Sequence, residues 1–151
     1  MKGFTLIELI VVFSIIALLT SVGIASYSSY NQSQSFQTSV AEVVSVINLA
    51  KSRSLTQVKP PQCGVQVLRG YQVSFTAGGS AYTLNVLCGT NTYVLSNKNL
   101  ASQVTFAAGS VPSIVFAVST AIVPSPGTVT ITGYGNTKRI TSDTSGNISI
   151  Q

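Results

Sequence analysis

The chain has 151 residues, the length of one domain or of one domain with an anchor. Only 7% of them are charged, against about 25% in ordinary soluble domains, while 45% are hydrophobic. With 22 Ser and 16 Thr, solubility rests on hydroxyls and amides, and bulk disorder is excluded because it needs low hydrophobicity and high net charge. Histidine is absent, and Glu8, Glu42 and Asp143 are the only carboxylates. That removes every His-based triad, Cys–His pair and His-rich metal site, and it disfavours a catalytic carboxylate pair. The expectation is a protein that is not an enzyme and uses no metal or cofactor.

The net charge of +5 comes from Lys2, Lys51, Arg53, Lys59, Arg69, Lys98, Lys138 and Arg139, with no run longer than two. Such a balance permits weak attraction to nucleic acid or anionic lipid without requiring it. A thinly charged surface short of acids accounts for it equally.

From Phe4 to Ala25 the chain reads FTLIELIVVFSIIALLTSVGIA, with a single charge. At about 1.5 Å per residue this run spans roughly 33 Å, enough for a hydrocarbon core of about 30 Å. The reading is a membrane helix. Lys2 precedes it and no basic residue follows before Lys51, so the N-terminus is expected in the cytoplasm and the rest outside. A cleaved secretory signal ending at Gly23-Ile24-Ala25 and a plain single-pass anchor are the alternatives. Both leave Glu8 unexplained, because a carboxylate inside a membrane segment is costly and by default functional. Its nearest candidate partner is an α-amino group created by a cut just before Phe4.

Lys2-Gly3, then Phe4-Thr5-Leu6-Ile7-Glu8, then an apolar helix, resembles the class III leader of type IV pilins and type II secretion pseudopilins. The resemblance implies cleavage by prepilin peptidase after Gly3 and N-methylation of Phe4. It further implies pairing of Glu8 with the terminal amine of a neighbouring subunit. Such a pair would offset the cost of both charges in lipid. No proline interrupts the membrane segment, and Gly23 is its weakest helix former. Small residues such as Ala17, Ser21, Gly23 and Ala25 would permit close helix approach.

Past Tyr30 the sequence turns polar but keeps a helical period. Phe36, Val40, Val43, Ile47 and Ala50 form one apolar stripe, expected to cover a sheet. Four segments follow: a leader at 1–3, a transmembrane half-helix at 4–25, an amphipathic half-helix at 26–56 and a β-rich head at 57–151. One long helix is read from about Phe4 to about Leu55, with Pro60-Pro61 barring its continuation. Strands are read at Val65–Val67, Tyr71–Phe75, Tyr82–Val86, Tyr93–Leu95, Gln103–Phe106, Ser113–Val118, Thr128–Thr132, Arg139–Thr141 and Ile148–Ile150, with Ala77-Gly78-Gly79-Ser80 as a hairpin turn. The fold class is α+β: a long N-terminal helix packed on an antiparallel β-sheet head, pilin-like.

Cys63 and Cys88 are an even count in a chain sent outside, which reads as a disulfide, with a pair of free thiols as the alternative. The C-terminal stretch from Ser113 to Ile150 resembles the tail of GspH/FimT-type minor pilins. There Ser145 precedes Gly146, where that family usually carries Arg. The resemblance implies other pilin or pseudopilin subunits, prepilin peptidase and an inner-membrane assembly platform as partners. It also raises DNA uptake, with Lys138 and Arg139 near Tyr134, in a Gly-rich loop, as the candidate contacts. A solvated turn is the competing reading of that pair, and a membrane-anchored Ser–Lys hydrolase lacks any Gly-x-Ser-x-Gly elbow.

Overall fold

The computed structural model describes residues 5–151, leaving aside the side chains at 21–23 and 25. Helix α1 runs from Leu6 to Leu55, and a 3-10 turn follows at Pro61–Cys63. Eight strands complete the chain: β1 (Leu68–Phe75), β2 (Ala81–Cys88), β3 (Asn91–Asn99), β4 (Val104–Phe106), β5 (Ser113–Ala117), β6 (Gly127–Gly133), β7 (Asn136–Ser142) and β8 (Ile148–Ile150). A long helix followed by antiparallel sheets is the expected α+β fold.

The chain divides into two compact units, residues 1–35 and 36–151. The division falls inside α1, at the point where Phe36 becomes the first buried member of the apolar stripe. Phe36, Val40, Val43, Ile47 and Ala50 are all buried. Burying each of the larger ones contributes about 1.5–3 kcal/mol relative to exposure. In this unit the helix is held by its stripe rather than by propensity alone.

The helix ends short of the prolines, as expected. It stops at Leu55, where the Gln57 N–H donates to the Ser54 carbonyl at 3.4 Å and the Val58 N–H to the Arg53 carbonyl at 3.2 Å. Gln57 itself is left-handed, with φ of 53°. This is the paired bonding of a Schellman cap, with Gln57 where glycine is usual. Pro60 and Pro61 lie beyond it.

The strands form two four-stranded sheets rather than one. The first has the order β3-β2-β1-β5 and the second β4-β6-β7-β8, with every pair antiparallel. The five residues between β1 and β2 form the expected hairpin turn. Gly78 and Gly79 of that turn exchange backbone hydrogen bonds with Phe106 of β4, at 2.9 and 2.8 Å, which ties the sheets together. Phe106 also meets Phe75 at 5.2 Å and Tyr82 at 6.0 Å between ring centroids, so one core serves both sheets and the helix stripe.

One expected strand is absent. Val65 and Val67 alternate, but β1 begins only at Leu68, and the two valines are 100% and 74% exposed. The Gln66 N–H donates to the Cys63 carbonyl at 2.8 Å, which folds this segment into a turn instead.

Candidate functional site

Gly3 and Phe4, the expected cleavage and methylation positions, lie outside the described residues. Glu8 is described, and it occupies the exposed first turn of α1. Its backbone N–H donates to the Thr5 hydroxyl at 3.4 Å, and the Leu9 N–H reaches the Thr5 carbonyl at 3.3 Å. Thr5 is therefore the N-cap and Glu8 the third helical residue, the positions of a capping box. The sequence singles out Glu8 as an isolated charge and, by resemblance, as an assembly residue; its local role as a capping residue is missed, although Thr-x-x-Glu is the signal for it. The positive end of the helix dipole favours a carboxylate here. The geometry leaves Glu8 exposed, four residues in sequence beyond the position that a cut after Gly3 would turn into a terminal amine.

Beyond Glu8 the helix presents apolar side chains on all sides. Leu6, Phe13, Leu18 and Leu19 are each about two-thirds or more exposed in the isolated chain. A helix apolar all round requires an apolar surrounding. Two of its hydroxyls are internally satisfied: Ser14 donates to the Ile10 carbonyl and Thr20 to the Ile16 carbonyl, both at 2.8 Å. Such back-bonding hides a hydroxyl from an apolar medium. Among the described residues, no helix is long and apolar enough to cross a membrane. The continuously described apolar run ends at Thr20, short of the about 20 residues that a span takes.

Cys63 and Cys88 are joined in a disulfide, with their Cα atoms 5.4 Å apart and a sequence separation of 25. Both are buried. The bridge links the 3-10 turn to the end of β2.

Lys138 and Arg139 are not in a loop. They lie within β7, whose connection to β6 is the two-residue turn Tyr134-Gly135, with φ of 50° and 75°. Two positive φ values in a two-residue hairpin leave the flanking residues in strand register. Lys138 pairs opposite Ile131 and Arg139 opposite Thr130. Adjacent strand residues point to opposite faces, so these two cations do not share a patch. The Tyr134 hydroxyl, the expected aromatic neighbour, donates to the Ser102 carbonyl at 2.7 Å.

The Asp143 carboxyl is held below the ordinary range, first by the hydrogen bond from the Asn147 side chain and then by that from its backbone N–H. It caps the turn before β8. Among the described residues there is no group of three or more Cys, Asp or Glu placed to hold a metal ion.

No curated protein and no solved structure matches the chain. The family model described as the prokaryotic N-terminal methylation motif does match, over residues 1–24. This is the segment in which Gly3, Phe4 and Glu8 lie, so the chain carries a prokaryotic N-terminal methylation motif, the signal found on type IV pilin-like proteins.

Proposed function

We propose that the protein is a minor pilin or pseudopilin, a non-enzymatic subunit of a type IV pilus or type II secretion pseudopilus. Prepilin peptidase cuts after Gly3, and Phe4 becomes the methylated N-terminus. Before assembly the segment 4–25 anchors the subunit in the cytoplasmic membrane, with the head outside. Assembly then packs the apolar helix against those of neighbouring subunits, and Glu8 sets the register by pairing with a neighbour's terminal amine. The observation that carries this reading is Glu8 itself. It is the single charge of an otherwise apolar segment, exposed on the first turn and four residues beyond Phe4. The apolar sheath with self-satisfied hydroxyls supports the same reading.

The test is to express the full chain with and without a prepilin peptidase and to read the N-terminal residue by mass spectrometry. Peptidase-dependent cleavage leaving methylated Phe4 is the expected result. Glu8→Ala should then be cleaved but fail to enter filaments. A cut after Ala25, or none, overturns the proposal.

A further inference from the structure

The end of the head where α1 stops gathers aliphatic side chains that the assembly motif does not use. Leu55 and Val58 flank the helix cap, Val65 and Val67 stand on the turn before β1, and Ile122 follows β5; all are exposed. Backbone contacts bring these segments together. The Tyr71 hydroxyl donates to the Val58 carbonyl, the Gly89 N–H to the Val67 carbonyl and the Ser119 N–H to the Ser54 carbonyl. The Cys63–Cys88 bridge pins the turn that carries Val65 and Val67. Three of the left-handed non-glycine residues, Gln57, Ser119 and Ala121, also fall at this end. The surface is thus held in place rather than loosely draped.

The same end is basic. Arg53 precedes the cap, Lys59 follows Val58, and the Arg69 guanidinium donates to the Gly89 carbonyl at 3.1 Å, beside Val67. The side-chain carboxylates of the head each lie against another group. Glu42 lies three turns earlier on α1 against Tyr82, and Asp143 is taken up by Asn147 and faced by Lys51.

We propose that this end of the head docks on the surface of an anionic phospholipid bilayer. The valines enter the boundary between headgroups and acyl chains, and Arg53, Lys59 and Arg69 sit among the phosphates. Composition selects this occupant. Protein hot spots favour Trp, Tyr and Arg over Val and Leu, and single-stranded nucleic acid stacks on exposed aromatic rings. Here the projecting side chains are aliphatic, and Tyr71 is buried. Interfacial binding asks only for apolar area and cations facing anionic lipid. The proposal concerns the head alone and does not depend on the filament reading.

The experiment holds the full chain in phosphatidylcholine nanodiscs and offers it sedimentable vesicles. These are made of phosphatidylcholine alone or of equal parts phosphatidylcholine and phosphatidylglycerol. The anionic vesicles should carry down about ten-fold more protein or better, and high salt should remove the excess. Val65→Asp with Val67→Asp should abolish it at low salt while leaving the melting temperature unchanged, since both side chains are exposed. Replacing Arg53, Lys59 and Arg69 by Gln should weaken it. Equal sedimentation with both vesicles overturns the proposal, as does an excess that the double Asp variant retains. A short DNA duplex that binds through the three cations and displaces the vesicles, indifferent to the valines, would make this a nucleic-acid surface instead.

Discussion

The Ser54 hydroxyl, fully buried in the last turn of α1, donates to the Phe116 carbonyl at 3.0 Å, across 62 residues of sequence. The Ser54 carbonyl in turn accepts from the Ser119 N–H at 2.9 Å. One residue therefore clamps the helix end to β5 and to the turn that follows it. Ser54→Ala removes this side-chain bond, a net loss of about 0.5–1.5 kcal/mol. The melting temperature of the full chain in detergent should fall by several degrees. An unchanged value would show that the clamp is dispensable.

Gln57 supplies a prediction of opposite sign. A left-handed side chain costs about 1–2 kcal/mol relative to glycine, part of which glycine returns through its freer unfolded chain. Gln57→Gly should stabilise the head by about 0.5–1 kcal/mol, read as a higher denaturant midpoint at constant slope. Gln57→Ala, which keeps the Cβ, should not.

What is legible in the sequence follows from how local each cause is. The stripe from Phe36 to Ala50 is readable because five apolar residues at helical spacing seldom line up by chance. The end of α1 near Leu55 is readable from the prolines that follow, but the cap that makes it is not, because a left-handed Gln57 leaves no mark in the sequence. Val65 and Val67 imitate a strand because two alternating residues satisfy the pattern without any pairing partner. The split into two sheets depends on Phe106 meeting the β1–β2 turn, a contact between segments far apart in the chain. At the candidate site, Glu8 stands out by its isolation, while its place in a Thr5-capped turn is easily overlooked although Thr-x-x-Glu spells it. The strand at Arg139–Thr141 is legible, but Lys138 reads as a loop residue because Gly133 and Gly135 punctuate that region, and only the two-residue turn shows that β7 begins at Asn136.

The disulfide should matter more than any single hydrogen bond. In the chain-entropy account, a bridge over 25 residues stabilises by about 3–4 kcal/mol. Replacing Cys63 and Cys88 by Ala together should lower the melting temperature by ten degrees or more. Amide exchange of residues 64–67 should rise as well, because the bridge anchors the start of that turn at Cys63 and sits next to Gly89, whose N–H holds its end at Val67. A reductant should reproduce both effects in the native chain and do nothing further to the variant.

Alkaline pH should weaken the head through its buried phenols. Burial, reinforced by the nearby Glu42 carboxylate, pushes Tyr82 up from 10.0 to about 12, and burial raises Tyr71 against the opposing pull of Arg53. The folded state therefore holds these protons more tightly than the unfolded chain. The stabilisation is fully present below pH 10.0 and is lost as pH rises toward about 12. Denaturant midpoints should be level up to the lower value and decline above it, and Tyr82→Phe should flatten the decline. Equal steepness in the variant would exclude Tyr82 as a cause.

Gly135 and Gly146 share a φ of 75° but differ in their surroundings. A Cβ at Gly135 would meet nothing within 4 Å, whereas one at Gly146 would stand 2.3 Å from the Ala121 carbonyl oxygen. Alanine at either position carries the same backbone penalty of about 1–2 kcal/mol. At Gly146 the clash adds to it, and the neighbour is backbone, which a side-chain rotation cannot clear. Relieving the clash means moving the Ala121 turn or the start of the last hairpin, where the Val123 N–H donates to the Thr144 carbonyl at 3.1 Å. Gly146→Ala should therefore destabilise by several kcal/mol and Gly135→Ala by little more than one, as compared by chemical denaturation. Equal losses would mean that the turn at Ala121 yields freely, and that the close approach does not fix the position of β8.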